Sequence, residues 1–118
     1  ASPNIKRIKE LKKVLGLKID NDYFLLYSGD DITSCNFLLE GGHGTISVTA
    51  NVIPEMMSMI CDLALKGLSD EAIEADQKIV GQKHKIKMIE EFLKDSLCQR
   101  SWLIGHAIKW KMLSEGLL

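Results

Sequence analysis

Two adjacent carboxylates, Asp30 and Asp31, follow Ser28-Gly29 at the point where an apolar run, "DYFLLYSG", comes to an end. Such a pair can serve in two ways. It can border an active site, with Gly29 letting a ligand approach the backbone closely. It can also head the next helix, where its charge complements the dipole and caps free amides. A second polar cluster, Thr49-Ala50-Asn51, closes the next β-branched run. In parallel α/β architectures function gathers at the carboxyl ends of strands, and both clusters stand at such ends. His43, within "GGHGTISVT", is a candidate base. It lies at the amino end of its strand, however, and a structural histidine between glycines is the simpler reading. The segment is neither a GxGxxG fingerprint nor a P-loop.

The remaining reactive side chains form no constellation. His43, His84 and His106 share no metal-ligand spacing with each other or with Cys35, Cys61 and Cys98. Neither a metal nor a cofactor is expected. Three scattered cysteines without a CxxC pair suit free thiols in a reducing cytoplasm, and Cys35 and Cys61 sit in apolar surroundings as small core residues. Fifteen basic and sixteen acidic side chains leave a formal charge of −1. That balance excludes the global field that recruits a nucleic acid or an anionic membrane surface. "KRIKELKK" is then the wet face of a helix. No apolar run reaches the roughly 20 residues of a membrane span.

The elements that must position the acids can be read from spacing. "SPNIKRIKELKKVLG" opens with Ser2 as N-cap and Pro3 in the first turn, carries Ile5, Ile8, Leu11 and Leu15 on one stripe, and stops at Gly16. "DYFLLYSG" has little alternation and predicts a strand covered on both faces, as in a parallel sheet. Asp30 or Asp31 is expected to cap "ITSCNFLLE", which Gly41-Gly42 ends. "GTISVTANV" predicts a second strand, with Ile46 and Val48 alternating against Thr45, Ser47 and Thr49. An aspartate at Ile46 is therefore expected to spoil packing on the strand's inner face. "PEMMSMICDLALKG" predicts a helix from Pro54 to the stop at Gly67, with Met56, Met57 and Met59 as core filler. Ser69 caps an acidic turn that opens a further helix, weakened at Gly81, and "SWLIGHAIKWKMLSEGLL" predicts a last one. Two strands separated by helices imply a parallel crossover whose edges stay open.

Over residues 1–80 these features closely resemble the dihydrodipicolinate synthase and N-acetylneuraminate lyase family, on the strength of "FLLYSGDDITSCNFLLEGGHGTISVTANVIPEMM". The spacing of "SGDD" and "GGHG" is similar to the family's seventh and eighth βα units, and most like its synthase branch. The resemblance implies an α/β fold: a partial (β/α)8 TIM barrel over residues 1–67, followed by a carboxyl-terminal helical region over 68–118. It implies a class I pyruvate aldolase acting in lysine biosynthesis, with pyruvate and aspartate semialdehyde as partners. Ile46 matches the family's pyruvate-contacting residue. Gly29, Asp30 and Asp31 match the loop that borders the substrates.

The family's Schiff-base lysine stands in a G-x-K-E segment, and "ASPNIKRIKEL" resembles the stretch immediately after it. The catalytic lysine is thus expected just before Ala1, and the tyrosine relay earlier still, so that no catalytic residue of the family is present in the chain. None of the remaining lysines is expected to face the pocket. At the other end "KHKIKMIE" and "HAIKWKMLSEGLL" resemble the flanks of a family segment, whereas residues 91–105 diverge from it. Three readings result: an aldolase of this family, whether the synthase or a close relative; a non-catalytic half-barrel that self-associates; or a helical interaction module. A homo-oligomer is expected in the first two.

Overall fold

The computed structural model describes residues 6–16, 24–96, Ser114 and Gly116. Ala1, just ahead of which the family's Schiff-base lysine is expected, lies outside the described residues, as do most of the expected last helix, Cys98 and most of the divergent segment. Within the described residues the order is α1 (Lys6–Leu15), β1 (Tyr27–Ser28), α2 (Ser34–Leu39), β2 (Gly44–Thr45), a 3-10 turn (Thr49–Asn51), α3 (Pro54–Leu65) and α4 (Ser69–Ser96). The strands pair in parallel, with Tyr27 opposite Gly44 and Ser28 opposite Thr45. The helices stop where glycine permits a left-handed residue: Gly41 has φ +96° and Gly67 has φ +76°. Pro54 begins α3, where its missing N–H has no partner to lose.

The core lies among the helices. Cys35 and Leu38 of α2 meet Met57, Ile60 and Ala64 of α3 and Ala72, Ala75 and Ile79 of α4. A smaller cluster joins Val52 to Ile86. Of the three methionines expected as filler, Met57 is buried, Met56 is half-buried and Met59 is exposed. Helix α1 buries Ile8 and holds Leu11 and Leu15 half-buried. Helix α4 runs unbroken through Gly81 for 28 residues. The roughly 1 kcal/mol that glycine costs in a helix interior does not interrupt so long an element.

Four expectations are corrected. "GTISVTANV" is a strand only over Gly44–Thr45, because the Asp31 carboxylate takes the Thr49 amide and the Ser47 hydroxyl takes the Ala50 amide, winding the chain into the 3-10 turn. Neither acid is the cap of α2, whose N-cap is Thr33 with no side-chain cap bond. Asp30 accepts from the Thr33 amide and hydroxyl ahead of α2, whereas Asp31 serves the turn after β2.

The sheet is not covered on both faces. Leu25, Tyr27 and Ile46 share one face by the register, and they are 51%, 54% and 75% exposed. The opposite face carries buried Ser28 and lies toward α2. Ile46 thus has little packing among the described residues for an aspartate to spoil. The fourth correction concerns the lysines that reach the strand end.

Candidate functional site

The loop after β1 is held by its own hydrogen bonds. Ser28 Oγ accepts the Asp30 amide and donates to the Asp30 carbonyl, both at 3.2 Å. Asp30 Oδ2 accepts from Thr33 N (3.1 Å) and Thr33 Oγ1 (2.7 Å), a local turn of the kind that favours aspartate ahead of a helix. Asp31 Oδ2 accepts the Thr49 amide at 2.8 Å and so ties the end of β1 to the turn after β2. Ser34 Oγ donates to the Asp31 carbonyl at 2.9 Å.

Two lysines of α4, one turn apart, complete this arrangement. Lys83 has a wholly buried side chain, ion-pairs with Asp76, and donates to the Asp31 carbonyl (2.7 Å) and to Ser34 Oγ (3.4 Å). Lys87 donates to Asp30 Oδ1 at 3.0 Å. Contrary to the sequence-based expectation, lysines do face the strand end. Lys83 lies on α4's buried stripe with Ala72, Ala75, Ile79 and Ile86. A lysine in step with that apolar spacing is the sequence signal that identifies it.

The electrostatics fit these bonds. Burial pushes the Asp30 carboxyl up, but the hydrogen bonds from Thr33 and Lys87 outweigh it and leave the group below its ordinary value. The bond to Asp30 holds Lys87 above the ordinary lysine value, against a smaller opposing effect of burial. Lys83 Nζ spends its three protons on Asp31, Ser34 and Asp76, so no lone pair is directed at a carbonyl. Both lysine side chains are thereby engaged as donors to the loop. Asp31 Oδ1 and Thr49 Oγ1 are buried without a hydrogen-bond partner among the described residues.

Gly29, Asp30 and Asp31 line one open cleft of about 290 Å3, solvent included, with Val48, Lys83, Ile86, Lys87 and Glu90 as its other walls. Ile46 does not line it. Its amide donates to the Ser28 carbonyl at 2.8 Å, which brings its backbone to the end of β1, while its side chain stands on the bare sheet face. His43 is structural: its Nδ1 accepts the Leu26 amide at 3.0 Å, and its own amide donates to the Leu26 carbonyl at 2.8 Å. The first of these bonds requires Nδ1 to carry no proton. Burial pushes the Cys35 thiol up to about 11 and raises that of Cys61, which leaves both unreactive. Among the described residues no group of histidine, cysteine and acids could hold a metal, and no helix is long and apolar enough to cross a membrane.

Comparison with known proteins places the chain in a family. The model of the dihydrodipicolinate synthetase family matches residues 2–104. A 4-hydroxy-tetrahydrodipicolinate synthase of Pseudoalteromonas atlantica is 46% identical over 90 residues, covering 76% of this chain and 29% of that protein. The enzyme of the same name from Psychromonas ingrahamii is 39% identical over 100 residues, covering 73% of this chain and 34% of its own length. Among solved structures, a chloride-inhibited dihydrodipicolinate synthase of Acinetobacter baumannii complexed with pyruvate superposes with a TM-score of 0.63 at 34% identity, over 71% of this chain and 27% of that one. The chain thus spans between a quarter and about a third of the length of these relatives.

Proposed function

Because the chain belongs to the dihydrodipicolinate synthetase family, we propose that it supplies the sixth helix with the seventh and eighth βα units (residues 1–67) and the carboxyl-terminal helical region (68–118) of a (β/α)8 pyruvate aldolase. The reaction is that of 4-hydroxy-tetrahydrodipicolinate synthase, in cytoplasmic lysine biosynthesis. A lysine amine adds to the pyruvate carbonyl with loss of water. The imine loses a C3 proton, and the enamine carbon attacks the aldehyde of aspartate semialdehyde, whose oxygen takes up a proton. Gly29 gives the substrates close access to the backbone, Asp30 and Asp31 border them, and Ile46 contacts pyruvate. The reacting lysine, which the family resemblance puts ahead of Ala1, and the tyrosine relay come from other βα units, since Lys83 and Lys87 are committed to the loop. Homo-oligomeric assembly belongs to the completed barrel in this reading. Free thiols at Cys35 and Cys61 suit a reducing compartment.

One observation carries the reading: the "SGDD" loop that ends β1 and the Ile46 amide at its side belong to a parallel pair within the family match. Grafting this chain onto the amino-terminal part of the Pseudoalteromonas atlantica enzyme, in place of the matched segment, tests it. The graft is expected to consume aspartate semialdehyde only with pyruvate present, and Asp30→Ala to slow it. A folded graft that forms a pyruvate adduct but ignores aspartate semialdehyde assigns another aldehyde. A folded graft with no adduct contradicts the reading. The exposed face of Leu25, Tyr27 and Ile46 also favours a second reading, a non-catalytic chain that covers this face with another copy of itself. That copy would appear as a dimer in sedimentation.

A further inference from the structure

Lys83 is the largest wholly buried side chain among the described residues, and a lysine is costly to hold in an apolar core. Stability is a poor reason for it to be there. Replacing both members of a buried ion pair by apolar groups of similar volume is often neutral or stabilising, so α4 can pack on α3 without this pair. What the pair supplies is a fixed point.

The donors of Lys83 converge on one residue of the loop. Nζ donates to the Asp31 carbonyl at 2.7 Å, from 52 positions along the chain, and to Ser34 Oγ, which itself donates to the same carbonyl. Asp76, two turns earlier on α4, is the counter-ion of the ammonium. The Asp31 carboxylate in turn accepts the Thr49 amide at 2.8 Å. One residue thus joins the end of β1, the turn after β2 and the long helix α4. Lys83 also lines the cleft with Gly29, Asp30 and Asp31, so the fixed point lies at the cleft itself. Ile46 stands outside these bonds, because its amide donates to the Ser28 carbonyl.

We propose that Lys83 is a positioning residue for the aldehyde half of the reaction: with Asp76 as its counter-ion, it sets Asp31 and with it the loop that borders the substrates. The reaction rests on the aldolase reading; the loop geometry does not. Pyruvate is contacted through Ile46 in that reading, so its capture does not depend on Lys83.

The double variant Lys83→Met/Asp76→Leu separates position from stability, because it removes the cation and its counter-ion together. It is expected to recover most of the stability that Lys83→Met loses in a urea melt. The Thr49 amide is nevertheless expected to exchange about tenfold faster relative to the amides of Ile60 and Ala64 in α3. Reading the ratio keeps a shifted melt from obscuring the result. In the graft onto the Pseudoalteromonas atlantica enzyme, the same variant is expected to raise KM for aspartate semialdehyde about fivefold and to change the rate of pyruvate adduct formation by less than about twofold. An unchanged exchange ratio overturns the proposal, because Ser34 alone then holds the loop. So does an active graft whose KM does not move, or whose adduct formation falls as far as its use of the aldehyde, since Lys83 is then structural only. A graft of the unaltered chain that forms no pyruvate adduct sinks the aldolase reading instead, and the exchange ratio then decides by itself whether Lys83 sets the loop.

Discussion

The two ends of the short sheet face opposite circumstances. At its carboxyl end, the loop's acids find partners in the chain itself: Asp30 is held by Thr33 and Lys87, and Asp31 by Thr49, Ser34 and Lys83, while Asp31 Oδ1 and Thr49 Oγ1 are buried without a partner among the described residues. On its bare face, Leu25, Tyr27 and Ile46 have water where a parallel sheet requires cover. The first region is braced from within, by a helix nearly fifty residues farther along the chain. The second stands exposed among the described residues.

Substitutions at the braced loop should have the largest effects. Lys83→Met leaves the Asp76 carboxylate and the Asp31 carbonyl without their cation, and is expected to cost about 3 kcal/mol in a urea melt. The double variant Lys83→Met/Asp76→Leu should recover most of that loss, because replacing both partners of a buried pair by apolar groups is often close to neutral. Asp31→Asn removes the charged acceptor of the Thr49 amide and is expected to cost about 1–2 kcal/mol, with faster hydrogen exchange at Thr49 as its local sign.

Lys87→Ala is smaller, below about 1 kcal/mol, because Lys87 is 42% exposed and its pair is solvent-screened. The pH dependence of that pair has a defined sign. Asp30 titrates below its ordinary value of about 3.9, so its contribution is present above that pH and is lost as pH falls through the depressed native value. Lys87 titrates above the ordinary value of about 10.4, so its contribution is present below that pH and is lost as pH rises through the raised native value. Acid and base melts of Asp30→Asn should therefore show both limbs flattened. The smallest effect marks the other region: Ile46→Asp in the chain alone is expected to shift stability by no more than about 0.5 kcal/mol.

The helices and their stops were legible in the sequence because glycine and proline act locally: Gly41, Gly67 and Pro54 each fix their own turn. The parallel pair and the acids at its end were legible for the same reason, through short apolar runs bounded by turn residues. The turn at Thr49 was not. β-Branched alternation favours a strand through "TISVT", and the carboxylate that overrides it comes from 18 residues away. Lys83 and Lys87 were hidden by composition, since "KHKIKM" has the charge of a solvated face. Only their phase against Ala72, Ala75, Ile79 and Ile86 shows that Lys83 points inward. The exposed face was misjudged because local pattern records only which residues suit burial, and among the described residues nothing covers Leu25, Tyr27 and Ile46.

The most direct test is borohydride reduction of the isolated chain with pyruvate, read by intact-protein mass. If Lys83 and Lys87 are braces and the reacting amine belongs to other βα units, no pyruvate adduct forms. A stoichiometric adduct that maps to Lys83 or Lys87 would mean that the brace opens to expose a nucleophile, and it would contradict the reading of these lysines as structural donors to the loop.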